Sequence, residues 1–89
     1  MILTWEIERM PGGTTFHYLR GFSPNHYICV QRCVPGDYSI TAQHDDDCAG
    51  GEIETEPTLA KAKKVAERKA LDGTWKNLTL EAYEKGQAQ

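Results

Sequence analysis

The sequence predicts an α+β domain: an antiparallel β-meander of three to four strands packed against one amphipathic α-helix, with a short C-terminal strand or helical turn. Three observations carry that expectation. Period-two alternation of apolar and polar residues runs through roughly the first forty positions, Pro- and Gly-rich turns interrupt it, and one stretch from Thr58 onward has helical spacing.

Leu3, Trp5 and Ile7 alternate with Thr4, Glu6 and Glu8, which marks a half-buried first strand. Met10-Pro11-Gly12-Gly13 then turns the chain, because proline presets φ and glycine accepts positive φ. Thr14 to Gly21 is rich in β-branched and aromatic residues and forms the second strand, with Phe16 and Tyr18 on one side and His17 and Leu19 on the other. After the Ser23-Pro24-Asn25 turn, His26 to Cys33 is the third strand. Val34-Pro35-Gly36-Asp37 fits a type II turn, with Pro and Gly in its central positions. Tyr38 to Gln43 returns as the fourth strand, placing Tyr38, Ile40 and Ala42 on one face.

The meander thus spans about 2–43, and an acidic loop, 44–57, follows it. A brief edge segment is expected around Glu52-Ile53-Glu54. The helix occupies about 58–72: Leu59, Ala62, Val65, Ala66, Lys69 and Ala70 share a stripe, either Thr58 caps its start through its hydroxyl or Pro57 occupies the first turn, and Gly73 ends it. A face made mostly of alanine calls for close packing on large side chains, for which Trp5, Phe16 and Tyr18 are the candidates. Residues 74–89 read as a short extended piece followed by a helical turn. No internal repeat, linker or second domain is legible.

At 89 residues the chain makes one domain with a thin core. No apolar run approaches the roughly 18 residues of a membrane span. The N-terminus alternates like a strand and lacks the pattern of a secretory signal, so it reads as the native start of a cytoplasmic protein. Cys29, Cys33 and Cys48 are an odd count, for which reduced thiols are the expectation. The net charge of −3 disfavours a general nucleic-acid binder but permits a local basic face.

Cys29, Cys33, His44 and Cys48 supply the donor types of a tetrahedral zinc site. Residues four apart on a strand stand roughly 13 Å from each other, however, so Cys29 and Cys33 would need a broken strand to share a metal. Ordinary core thiols are the simpler reading, and no metal or other cofactor is assigned. His44 beside Asp45-Asp46-Asp47 lacks the interleaved ligands of a calcium loop, and consecutive carboxylates do not all converge on one ion. His17, His26 and His44 provide bases for a cysteine nucleophile, but no nucleophile elbow, phosphate loop or dinucleotide fingerprint accompanies them. The expectation is a protein that is not an enzyme. Asn77-Leu78-Thr79 matches a glycosylation triplet, which has no role without secretion.

Charge carries the functional signal. Asp45, Asp46, Asp47, Glu52, Glu54 and Glu56 form an acidic stretch directly before a helix bearing Lys61, Lys63, Lys64, Arg68 and Lys69. The acidic stretch is the candidate surface for a protein partner, where complementary charge speeds encounter and fixes register. Lys61, Lys64 and Arg68 are the alternative candidates, for contact with nucleic-acid phosphates. Ala62-Lys63-Lys64-Val65-Ala66-Glu67-Arg68-Lys69-Ala70 is faintly similar to the second helix of double-stranded-RNA-binding domains, which begin with a helix where this chain begins with a strand.

Thr58-Leu59-Ala60-Lys61-Ala62-Lys63-Lys64-Val65-Ala66-Glu67 resembles the T-L-x-x-A-K-x-x-A-E helix start that follows a meander in small phage and prophage proteins, among them host-defence inhibitors of the anti-CRISPR type. The resemblance extends to the strands, the Gly-rich turn and the tryptophan after the helix. It implies binding rather than catalysis: an inhibitor or adaptor acting on a host protein or protein–nucleic-acid complex in the host cytoplasm. It carries over no particular residue. A small zinc-stabilised module is a further alternative, and the face of the sheet away from the helix is a surface for homodimerisation.

Overall fold

A computed structural model describes residues 2–34, 36–45 and 54–75. Five strands form one antiparallel sheet in the order in which they occur along the chain. They are β1 (Thr4–Arg9), β2 (Thr15–Arg20), β3 (His26–Val34), β4 (Asp37–His44) and β5 (Glu54–Glu56), followed by α1 (Leu59–Asp72). The edge strand expected near residue 53 is therefore centred two residues later. It pairs with the start of β4 through Tyr38↔Glu56 and Ile40↔Glu54, making the sheet one strand wider than a four-stranded meander.

Strand alternation sorts the side chains into two faces. Trp5 pairs with Leu19, Leu19 with Ile28 and Ile28 with Ala42, so one row crosses four strands on the helix side. His17, Val30 and Ile40 make the next row. Leu19, Ile28, Val30 and Ile40 are fully buried against Ala62, Ala66 and Ala70 of the helix. Each large aliphatic residue removed from water contributes on the order of 1.5–3 kcal/mol. The alanine stripe lets the helix backbone approach these branched side chains, as its composition demands.

The expected partners of that stripe need one correction. Trp5 does face the helix, donating its indole N–H to Glu67 at 3.2 Å and lying under the Lys63 ammonium. Phe16 and Tyr18 do not. They follow the opposite parity to Leu19, and the helix packs on aliphatic Leu19, Ile28, Val30 and Ile40 instead.

The punctuation of the chain behaves as its residues require. Gly36 has φ 92°, the positive value needed at the third position of a type II turn. Thr58 accepts the Lys61 N–H at 3.2 Å, and Gly73 closes the helix at φ 83°. Asp72 accepts from both the hydroxyl and the N–H of Thr74, which hold its carboxyl below the usual range. Thr74 and Trp75 continue as a 3-10 turn, where an extended piece was expected. Trp75 packs there against Phe22 and His26, with ring centroids 5.1 and 4.8 Å away. The remainder of the C-terminal segment lies outside the described residues. No described helix is long and apolar enough to cross a membrane.

Candidate interaction face

The sheet has a helix on one face only, and no described element covers the other. That second face carries Phe16, Tyr18 and Arg20 from β2, Tyr27, Cys29 and Gln31 from β3, and Thr41 and Gln43 from β4. It is not a plain solvated surface. Phe16 stacks beside Tyr18 at 6.2 Å, Tyr18 meets Tyr27 edge-on at 5.3 Å, and the Arg20 guanidinium sits 4.8 Å from the Tyr27 ring centroid. Aromatic pairs in these arrangements contribute about 0.5–1.5 kcal/mol beyond the area they bury.

Polar contacts hold the rings in place. The Tyr18 hydroxyl donates to Glu8 at 3.1 Å, and the Tyr27 hydroxyl donates to Gln43 at 2.7 Å. Gln43 in turn donates its amide to Thr41 at 3.2 Å, which fixes the orientation of its carbonyl. Cys29, flanked across the strands by Tyr18 and Thr41, is only 5% exposed although no described helix covers it. Burial, with Glu8 nearby, pushes its thiol up to about 11; burial and the bond to Glu8 raise the Tyr18 phenol to about 12.

Carboxylates rim this face. Glu6 and Glu8 project from β1, and Asp45, held at the end of β4 by its N–H to the Asn25 carbonyl at 2.9 Å, sits at the far corner. Arg20 lies between Glu6 at 3.7 Å and Asp45 at 3.0 Å, leaving its charge compensated.

The residues singled out from sequence are placed unequally. Asp45 belongs to this face. Glu54 and Glu56 lie on β5, on the helix side of the sheet, and Glu54 is paired with Lys69 at 2.9 Å. Asp46, Asp47, Glu52 and Cys48 lie outside the described residues. Lys61, Lys64 and Arg68 are all exposed and form one stripe on the helix surface away from the core. Cys29 and His44 belong to opposite faces of the sheet, because Cys29 pairs with Thr41, three residues before His44. They therefore do not converge on one ion. Among the described residues no three His, Cys, Asp or Glu side chains are grouped as metal ligands.

Sequence reading anticipated an open far face but placed Phe16 and Tyr18 under the helix, so it missed the aromatic character of that surface. The signal was present in the parity of β2, since Leu19 and Phe16 cannot both face the helix. Comparison with known protein families, characterised proteins and solved structures finds no significant match to this chain.

Proposed function

We propose that this domain binds another protein through the uncovered face of its sheet, acting as an inhibitor or adaptor by occupying its partner's surface. The observation that carries this reading is the half-buried ladder of Phe16, Tyr18 and Tyr27 on a face that no described element covers. Aromatic residues with hydroxyl handles combine large apolar area with few rotatable bonds, which favours them at protein interfaces. The Glu6, Glu8 and Asp45 rim selects a partner that is basic around an apolar centre. The same rim disfavours single-stranded nucleic acid, which would otherwise suit an aromatic stacking platform, because phosphates require a cationic track. Asp45 is the member of the acidic stretch that this face holds. The resemblance of the helix start to small phage proteins gives the partner a class: a host protein of a nucleic-acid-directed defence complex, whose basic surface an acidic binder would occupy, in the host cytoplasm.

A second reading is favoured by one separate observation, the exposed Lys61, Lys64 and Arg68 stripe. It is direct binding of nucleic-acid phosphates by the outer helix face. Tagged capture from host lysate, with and without nuclease, separates the two. The protein-binding reading expects one stoichiometric protein that survives nuclease, is retained by a Lys61→Glu/Lys64→Glu/Arg68→Glu variant and is lost with Glu6→Lys/Asp45→Lys. The opposite pattern, with loss on nuclease treatment, would transfer the function to the helix.

A further inference from the structure

At the end of the sheet opposite Asp45, the β1–β2 turn, the ends of β3 and β4 and the start of α1 enclose a half-open cavity of about 490 Å³. That volume falls within the range of small-molecule sites, about 300–1,000 Å³. Its lining is chemically one-sided. Arg9, Arg32 and His17 contribute to it, and among the described residues no Asp or Glu lines it. Among the described residues neither arginine has a hydrogen bond or ion-pair partner, in contrast to Arg20 on the other face, which has two carboxylates. The His17 Nδ1 atom is buried and likewise lacks a hydrogen-bond partner. Partial burial first, and then the nearby charges of Lys63 and Arg9, depress the protonation of His17. Two exposed guanidinium groups without a protein acceptor among the described residues give this corner a positive potential that an anion would complement. Guanidinium groups bind phosphate and carboxylate oxygens through paired N–H donors.

The rest of the wall is apolar. Ile7, 55% exposed although it lies on the helix side of the sheet, faces this space, together with Leu59 and Tyr38. Ile7 is exposed because the helix packs mainly on β3, β4 and β5 and leaves the β1 edge of the sheet open. A ligand that uses both parts of the lining carries a compact anion at one end and a flat or apolar body at the other.

We propose that this cavity is a binding site for a small phosphate monoester, its phosphate held between Arg9 and Arg32 with His17 beside it, and its organic body against Ile7, Leu59 and Tyr38. The site is distinct from the aromatic face and does not depend on that face having a protein partner. The Gly12-Gly13 turn at its mouth carries no Cβ and both glycines have open space around them, so the turn does not obstruct entry, while the Gly13 N–H is donated to the Met10 carbonyl at 3.1 Å and fixes the turn.

Amide-resolved NMR titration of the full chain tests the site, with phenyl phosphate, inorganic phosphate and phenol as probes. The expected result is saturable shifts at Gly12, Gly13, Thr15 and Leu59 with phenyl phosphate, and at least about tenfold weaker binding of inorganic phosphate and of phenol. Arg9→Gln and Arg32→Gln should each weaken phenyl phosphate roughly tenfold, the loss of a charge-assisted hydrogen bond. Both arginines are exposed, so an unchanged amide spectrum of each free variant verifies the fold. Three results would overturn the proposal: shifts that do not saturate, affinity insensitive to both arginine variants, or shifts confined to the Lys61, Lys64 and Arg68 stripe. Inorganic phosphate binding as tightly as phenyl phosphate would also overturn it, since the apolar wall would then have no ligand.

Discussion

Single residues mark where this small domain has no slack. Gly21, at the end of β2, has φ 111°, and a Cβ built on it would collide with the backbone carbonyl of Ile2. Positive φ and lost space act together there, so Gly21→Ala should destabilise the domain by at least ~2 kcal/mol. Gly12 has positive φ but open surroundings, so Gly12→Ala should cost about 1 kcal/mol; urea denaturation of the two variants makes the comparison. Cys29 supplies a second test at this scale. Its thiol titrates at about 11 in the fold, against an ordinary value of 9.0, because burial disfavours the thiolate. Above pH 9 the unfolded chain releases a proton that the folded chain retains. Stability contributed by this group is therefore present below pH 9 and is lost as pH rises toward 11. Chemical denaturation from pH 8 to pH 11 should show that decline, and Cys29→Ala should flatten it. An equal decline in both proteins would assign it elsewhere, to Tyr18 first, whose phenol is also raised.

The helix shows how element-level signals translate into energy. Thr58 receives the Lys61 N–H, so Thr58→Ala should lower stability by about 1 kcal/mol. Ala66 is fully buried between the helix and branched strand residues, so Ala66→Leu should cost about 1–3 kcal/mol by overpacking, although leucine is a good helix former. Thermal or urea unfolding of the two variants would check both, and an Ala66→Leu protein as stable as the parent would mean that the stripe is not closely packed. These elements were legible in sequence because each had two concordant signals: a cap with a periodic stripe for α1, alternation with a Pro-Gly turn for β3 and β4. The edge strand β5 was less legible, since three residues carry too little periodicity to fix a register. Pairing with Tyr38 and Ile40 sets it instead, along with the Lys69–Glu54 bridge from the helix. The assignment of Phe16 and Tyr18 to the core followed aromatic character over parity, and parity decided. The acidic stretch was legible as charge but not as geometry: Asp45 follows the end of β4, Glu54 pairs with Ile40 in the middle of that strand and on the other face, and each has its own cationic partner.

At the scale of the whole molecule, charge and aromatic area are distributed so that the three surfaces respond differently to salt. The outer helix face carries Lys61, Lys64 and Arg68. The cavity carries Arg9 and Arg32, and the uncovered sheet face is ringed by Glu6, Glu8 and Asp45 around a single compensated arginine. An aromatic sheet face that no described element covers would also offer a second copy of the chain a surface, as the proposed homodimer requires. Face-to-face pairing would bring the carboxylate rims together, however, and Arg20 is already engaged with two of them. Like-charge repulsion across such an interface is long-ranged at low salt, where screening extends over ~14 Å at 0.05 M, and weak at 1 M, where it falls to ~3 Å. Self-association should therefore increase with salt, while capture of a basic protein partner by the same face should decrease. Sedimentation velocity at 0.05 and 1 M sodium chloride would measure the first trend and partner affinity the second. Tyr27→Ser should suppress both, because both use the same rings. If self-association instead weakened with salt, the copies would be meeting through opposite charges, the basic helix of one against the acidic rim of the other. Such head-to-tail contact would be abolished by Lys61→Glu/Lys64→Glu/Arg68→Glu, and the sheet face would then lose its standing as a self-complementary surface.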